Sequence, residues 1–541
     1  MRNQIINLSM FFNRKKRRIA ELERAFGKVK TEGFNFNYIS RYHCNKDNSS
    51  ANQVLSDQTC DDLDFDLFFT FIDRTSSKVG QQCLYQDLRT LTLDLSKTEK
   101  REKIIKYLED NPAKINEFRH LLNTLNSTKA YFLTDIFQKE LNEKPKWYFL
   151  VPLFSLFSFL SVIFSIFNPS FALLLLLIFP IHAFMHFALK LRVNLIVDSV
   201  PQLLNLNYIA KRITKDKNIS SFFLDSQKSI QAIDKIKTRL FIFKDENSTL
   251  DDFYLVLWFV KEIVKITFLL EPLMSFSASD LVKKYVKEIE DVFSLVGEID
   301  IILSIIAIRN EAEVFCLPAI NSTFTSIESK NMYHPLVGNP VANSFESSQK
   351  SFLLTGSNMS GKTTFIRSIG LNFITGMALN TCYAESFSCP ILKIYSAIRI
   401  SDDISNASSY FLQEVEAMKL IIEESNKDQN NLILLDELFK GTNTVERISS
   451  AKSILSYLNK PNNFVYVSTH DLELTVLLQN EYELYYFGET ISNDEITFDY
   501  TLKKGVPVSG NAIKILELKN FPSIIIKESN GLVEEFTKNR S

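Results

Sequence analysis

Residues 351–370 read SFLLTGSNMSGKTTFIRSIG, and this stretch decides the fold of the C-terminal third. Ser351–Thr355 is a short apolar run with strand character, and FIRSIG opens a helix. Between them, Gly356-Ser-Asn-Met-Ser-Gly361-Lys362-Thr363-Thr364 has the spacing GxxxxGK[ST]. A strand–loop–helix with that spacing turns backbone N–H groups and a helix N-terminus toward phosphate oxygens. Gly356, Gly361 and Thr364 belong to this cradle. Lys362 is expected to reach the β- and γ-phosphates, and the Thr363 hydroxyl to bind Mg²⁺.

Two further strands supply the rest of a nucleotide site. Asn431–Glu437 (NLILLDE) is an apolar run ending in two carboxylates. Asp436 is expected to hold the Mg²⁺ shell through water, and Glu437 to orient or deprotonate an attacking water. Asn463–Thr469 (NFVYVST) ends at His470-Asp471, where a histidine can sense the γ-phosphate. Any one of these groups alone is more often structural. Three strand ends carrying all of them predict a domain that binds and hydrolyses ATP.

Glycine usage agrees. Of 14 glycines, nine lie between Gly338 and Gly510, where loops must turn sharply or approach a ligand. The remainder of the chain is expected to be mostly helical. At 541 residues it is too long for one domain, and 45% hydrophobic against 23% charged residues excludes a disordered or collagenous chain. A net charge of −2 excludes a globally basic nucleic-acid-coating protein. Six scattered cysteines without CxxC spacing fit a reducing compartment better than a disulfide scaffold or zinc ribbon.

A second feature divides the chain. From Trp147 to Leu189 there is no Asp, Glu, Lys or Arg. Two apolar arms of about 20 residues, each long enough to cross a bilayer, flank the turn Asn168-Pro169-Ser170. Lys144 and Lys146 precede the first arm, and Lys190 and Arg192 follow the second. By the positive-inside rule both flanks face the cytoplasm, which predicts a two-pass membrane protein with its N-terminal and ATPase regions inside. The bland alternative is a helical hairpin buried in a soluble core. His182 and His186 stand four apart on one helical face; histidines that only pack are commoner there than metal ligands. Residues 61–146 and 190–320 read as helices, with Leu281–Ile308 the clearest period. The cluster Arg14-Lys15-Lys16-Arg17-Arg18 reads as a solvated face, or more sharply as a contact for acidic headgroups or phosphates.

TGSNMSGKTTF, DELFKGTNTVER and STHD together resemble the ATPase domain of MutS-type proteins. SDDISNASSYFLQE (401–414) is similar to that family's signature loop, and His334-Pro335 and Ala342-Asn343-Ser344 to its upstream turns. FDYTLKKGVPVSGNAIKILELKNFP is similar to its closing segment, while DLFFTFIDRTSSKVGQQCLYQDLRTL and GEIDIILSIIAI resemble the two ends of its helical lever. The resemblance covers roughly 61–140 and 280–525. It implies an α/β P-loop ATPase domain of the ABC-like, MutS type (321–541). This would follow a mainly α-helical lever (61–146 and 190–320), interrupted by the transmembrane hairpin (147–189), with 1–60 as an N-terminal segment.

The family works as dimers with composite sites. The resemblance therefore implies that Asn358 contacts nucleotide, that Ser409 reaches the γ-phosphate of a partner copy, and that His470 is the switch histidine. About 60 residues precede the lever match, and no Phe-x-Glu wedge stands there. Tyr410 replaces the usual Thr of the signature triplet, and the hairpin occupies the segment where the family places its DNA clamp. The reading is a membrane-anchored, MutS-like ATPase closing as a homodimer on ATP and Mg²⁺. Its candidate partners are the lipid bilayer and double-stranded DNA, with mismatch recognition disfavoured. The alternative is a membrane motor, transport or structural ATPase without DNA binding.

Overall fold

The computed structural model describes residues 27–140, 143–240, 252–348, 351–357, 359–399, 410–492, 495–507, 513, 516–517 and 519–540. The chain divides into two compact units, Met1–Asp47 with Ile72–Gln86 and Ser96–Asn310, and Asn48–Phe71 with Asp87–Leu95 and Glu311–Ser541.

The first unit is helical. Its central element, α6 (Val286–Glu311), is buried turn after turn at Ile289, Val292, Val296, Ile299, Ile302 and Ile306. Helix α1 (Lys78–Arg89) crosses it at a distance only glycine permits. A Cβ on Gly80 would stand 2.2 Å from Asp300 Oδ2, and one on Gly297 2.3 Å from Cys83 Sγ. Asp300 is fully buried and accepts the Ser76 N–H (2.7 Å), the Ser77 N–H (2.8 Å) and the Ser77 hydroxyl (2.5 Å). Ser77 Oγ in turn accepts the Gly80 N–H at 2.9 Å, which caps α1. Burial still pushes the Asp300 carboxyl up to about 6, against these hydrogen bonds.

The same unit carries the apolar hairpin, α2 (Leu150–Ser165) and α3 (Ala172–Ile213). The turn between them is closed by Asn168, whose side chain accepts the Ser170 N–H at 3.0 Å. The sequence predicts an arm ending at Leu189, but α3 runs on to Ile213. The reason lies in its far half, where Val200, Leu203, Leu206, Ile209 and Ile213 keep helical spacing and are all buried. Stretches of spanning length and apolarity are Lys146–Ser165 and Pro169–Lys190, of which only 17% and 22% is buried. Phe159, Ile166, Phe167, Leu173 and Leu177 face outward rather than into a core. Helices α4 (Asp252–Thr267) and α5 (Leu270–Lys284) pack against α3, joined through Leu269 at φ +48°.

The second unit is α/β. Its strands are β1 (Gln53–Val54), β2 (Thr90–Leu91), β3 (Ala319–Ile320), β4 (Ser326–Met332), β5 (Asn343–Ser348), β6 (Phe352–Thr355), β7 (Ser386–Cys389), β8 (Lys393–Ala397), β9 (Asn431–Asp436), β10 (Asn463–Ser468), β11 (Glu483–Ser492) and β12 (Glu495–Lys504). The main sheet has the order β12-β11-β6-β10-β9-β8, parallel except for the edge strand β12. A second sheet, β3-β7-β4-β5, and the β1-β2 pair complete it. Strands β6 and β10 are buried throughout, as expected of a parallel sheet covered on both faces. The rings of Phe352 and Tyr466 stack at 4.0 Å between them. The free edge of β8 is occupied by a side chain from the N-terminal part of this unit. The Gln53 amide donates to Ile394 O (2.7 Å) and accepts its N–H (2.8 Å).

Register places the site. Ser468 of β10 lies opposite Asp436 of β9 on one side and Leu354 of β6 on the other. The residues just beyond these three strand ends, Glu437, His470 and Gly356, therefore emerge side by side at the carboxyl edge, where open α/β sheets bind ligands.

Candidate functional site

The loop after β6 bends through Gly356 (φ +148°) and Gly361 (φ +102°). A Cβ at 356 would lie 2.8 Å from Phe487 O, and one at 361 would lie 3.2 Å from the Tyr500 ring, so both positions need glycine. Helix α7 (Lys362–Leu379) starts immediately after, aiming its N-terminus into the loop. Lys362 Nζ donates to Gly356 O (2.9 Å) and Ser357 O (2.8 Å) and stands 3.4 Å from His470 Nε2. Its side chain is buried, and that burial pulls the amine down to about 8, with Asp436 opposing. A buried ammonium held by carbonyls inside a loop of backbone N–H groups is a site for an anion.

Around it the carboxylates are ordered. Thr363 Oγ1 donates to Asp436 Oδ2 at 2.7 Å, and the Ser468 hydroxyl donates to the other oxygen of Asp436. Glu437 takes a left-handed conformation, φ +50°, fixed by its N–H donating to Ser468 O at 2.9 Å. Its carboxylate lies 2.5 Å from His470 Nε2 and pairs with the Lys440 ammonium. Burial, Lys362 and Lys440 hold His470 below the usual histidine range, opposed by Asp436 and by a hydrogen bond to the Gly356 backbone. The turn carrying His470 is anchored by Asp471, which takes two hydrogen bonds from Arg447 (2.9 and 2.7 Å) and donates its N–H to Thr469 Oγ1 (3.0 Å).

Beside the loop opens a cavity of about 540 Å³, within the range of small-ligand pockets. Gly361, Lys362, Thr363, Thr364 and Glu437 form one wall; Tyr333, His334, Val337, Phe487 and Tyr500 form much of the rest. Burial and Arg367 hold His334 down to about 4; its Nδ1 accepts the Leu336 N–H at 3.2 Å. Asn343 fastens the far wall, donating to Tyr500 O (3.0 Å) and accepting the Leu502 N–H (2.7 Å). Ser360 Oγ is buried without a hydrogen-bond partner among the described residues. An orphaned hydroxyl, a glycine-shaped cradle and a cavity of mixed polar and aromatic lining fit a nucleotide with its phosphates on the loop. Thr363 and Asp436 are the oxygen donors fitted to a Mg²⁺ ion.

Of the residues singled out from sequence, Gly356, Gly361, Lys362, Thr363, Thr364, Asp436, Glu437 and His470 are brought together here. Asn358 and Ser409 lie outside the described residues, as does the 14–18 basic cluster. Lys440, Tyr333, Phe487 and Tyr500 were not anticipated. The available signal was the aromatic beside His334 and the tyrosine inside FDYTLKKG, both within segments already marked by resemblance.

The Lys362 amine gives a pH dependence. Phosphate binding favours the protonated lysine, so affinity for a phosphate-bearing ligand is expected to be full below about pH 8 and to fall by roughly tenfold per pH unit above it, until the higher pKa of the complex is reached. Calorimetry at pH 7 and 9 in buffers of different ionisation enthalpy should show net proton uptake at pH 9. Constant affinity between these values contradicts the assignment.

Residues 352–537 match the family model described as MutS domain V. The DNA mismatch repair protein MutS of Lactobacillus acidophilus is 28% identical over 265 residues, 47% of this chain and 31% of that protein. The protein of the same name from Petrotoga mobilis is 32% identical over 267 residues, 47% and 32% respectively. MutS protein homolog 4 of Homo sapiens is 31% identical over 226 residues, 39% and 24%. The alignments thus span less than a third of the length of these relatives.

Proposed function

We propose that this chain, a member of the MutS family, is a membrane-anchored, Mg²⁺-dependent ATPase that closes as a homodimer on nucleotide and acts on duplex DNA. The observation that carries the reading is the convergence of three level strand ends on one glycine loop, with His470 between Lys362 and Glu437 and Thr363 bonded to Asp436.

Each residue has a task in ATP hydrolysis. Lys362 exchanges its two loop carbonyls for phosphate oxygens, gaining a charge-assisted partner in a buried setting. Thr363 and Asp436 are the residues that would hold Mg²⁺, which would supply neutralisation of charge on the phosphates. Glu437 orients the attacking water and accepts its proton. His470, beside both Lys362 and Glu437, relays the presence of the third phosphate between them. A base of the nucleotide fits the Tyr333–Tyr500 cavity.

Dimer closure follows from the signature loop. The resemblance assigns Ser409 of one copy to the γ-phosphate bound by the other, and on that reading nucleotide bridges the two. Helix α8 (Tyr410–Ser425), which follows that loop, is tied to the site by Glu414, which accepts the Phe439 N–H at 3.1 Å two residues beyond Glu437. Hydrolysis would thereby alter the loop that holds the partner. DNA as the polymer acted on is supported by the relatives named as DNA mismatch repair proteins. Anchoring is supported by the two outward-facing apolar helices.

Purified full-length chain in detergent should hydrolyse ATP, and should bind duplex DNA with an affinity that falls steeply with salt and changes with ATP. ATP hydrolysis without salt-dependent duplex binding would instead favour a membrane motor without DNA. No hydrolysis at all would remove the central claim.

A further inference from the structure

A second buried polar cluster lies far in sequence from the nucleotide loop, inside the helical unit, where the hairpin meets α4 and α5. His186 of α3, Glu262 of α4 and Glu271 of α5 each bring one nitrogen or carboxylate oxygen within 4.8 Å of the others. His186 and Glu271 side chains are only 1% and 7% exposed. His186 Nε2 and Glu271 Oε2 stand 3.5 Å apart without a hydrogen bond, and Glu271 Oε2 has no hydrogen-bond partner among the described residues.

That separation is informative. It is long for a hydrogen bond, but it matches the edge of a tetrahedral zinc site, roughly 3.4 Å for bonds of about 2.1 Å. A buried carboxylate oxygen aimed at an imidazole nitrogen, with no hydrogen bond among the described residues, is costly unless something sits between them. Two carboxylates and a neutral imidazole carry −2, which one divalent ion balances. In the structure two lysines supply that balance from the periphery: Lys190 Nζ lies 3.6 Å from Glu271 Oε1, and Lys265 Nζ lies 2.8 Å from Glu262 Oε1. Both are about a third exposed, 37% and 31%, so either can withdraw to solvent when an ion enters.

We propose that His186, Glu262 and Glu271 bind one divalent transition-metal ion of the zinc class. Its place is structural. The three ligands come from three helices, two of them on either side of the left-handed break at Leu269, so the ion would staple α4 and α5 onto the second apolar arm. His182, one turn earlier, is committed elsewhere: its Nδ1 donates to Thr267 O at 2.7 Å.

The test uses full-length chain in detergent, stripped with chelator and free of nucleotide, titrated with Co²⁺ and with Zn²⁺. One equivalent of Co²⁺ should give the intense visible absorption of a four-coordinate centre, displaced by one equivalent of Zn²⁺. An ion at Thr363 and Asp436, with oxygen ligands and water, would be octahedral and weakly coloured, so the two sites are distinguishable. His186→Ala and Glu271→Gln should abolish the band. Lys190→Met should keep it and lower the Zn²⁺ Kd several-fold, because it removes the competing cation. Absence of the band in the unsubstituted chain overturns the proposal without reference to any variant. So does a band that survives His186→Ala.

Discussion

Replacing Glu437 by Gln should lower the ATP turnover rate by about three orders of magnitude while leaving ATP affinity within a few-fold, a loss typical of removing a general base. The structure makes this substitution a narrow one. Gln has the same shape, and its carbonyl oxygen can still accept from His470 or Lys440, which hold the carboxylate now. The backbone tolerates it equally, since neither side chain is favoured at φ +50° and the Glu437 N–H to Ser468 O bond is unchanged. What is lost is the capacity to take a proton. If hydrolysis separates the two copies, the variant should also accumulate as an ATP-bound dimer, seen as a doubled mass in size-exclusion chromatography with light scattering. Turnover within threefold of the unsubstituted chain would remove Glu437 from the reaction, and Lys440 or His470 would have to be considered in its place.

The half of the site that was legible in sequence is the half that is local. Residues 351–364 carry strand, loop and helix start in one run, and Asp436, Glu437 and His470 each end an apolar run whose strand character is plain. Their meeting depends on register, which sets Ser468 level with both Asp436 and Leu354. A sequence does not display register, but three runs ending in polar residues made the outcome predictable. The cavity wall behaved differently. Tyr333 follows β4, Phe487 is on β11 and Tyr500 on β12, and nothing in their spacing announces that they share a pocket with Gly361. Only the pairing of β11 with β6 and β12, and the Asn343 bonds that hold Tyr500, bring them there. The cluster around His186 was not legible: His182 and His186 share a helical face that reads as packing, and Glu262 and Glu271, which face His186, stand on two later helices. The extra length of α3 was hidden for another reason. Charged residues after Leu189 mark the end of an apolar span, not the end of a helix, and the buried set from Val200 to Ile213 continues the same period.

Arginine at Phe159 and Leu177 together should abolish membrane insertion of the hairpin and leave the rest of the fold intact. Both side chains project outward, 56% and 75% exposed, so in a water-soluble particle the substitutions bury no charge and remove almost no core packing. In a bilayer each lies near the middle of its arm, where an arginine costs about 2.5–3.5 kcal/mol. The pair therefore costs about 5–7 kcal/mol, roughly four to five orders of magnitude in the insertion equilibrium. The unsubstituted chain should remain in the membrane pellet after alkaline carbonate extraction, and the double variant should pass to the supernatant or be degraded. Retention of both in the pellet would mean that something other than the hairpin holds the chain at the membrane. Release of both would mean that the outward-facing apolar surface is covered by protein. The contrast is sharp because the two environments respond oppositely to the same residues: solvent welcomes arginine at positions where lipid excludes it.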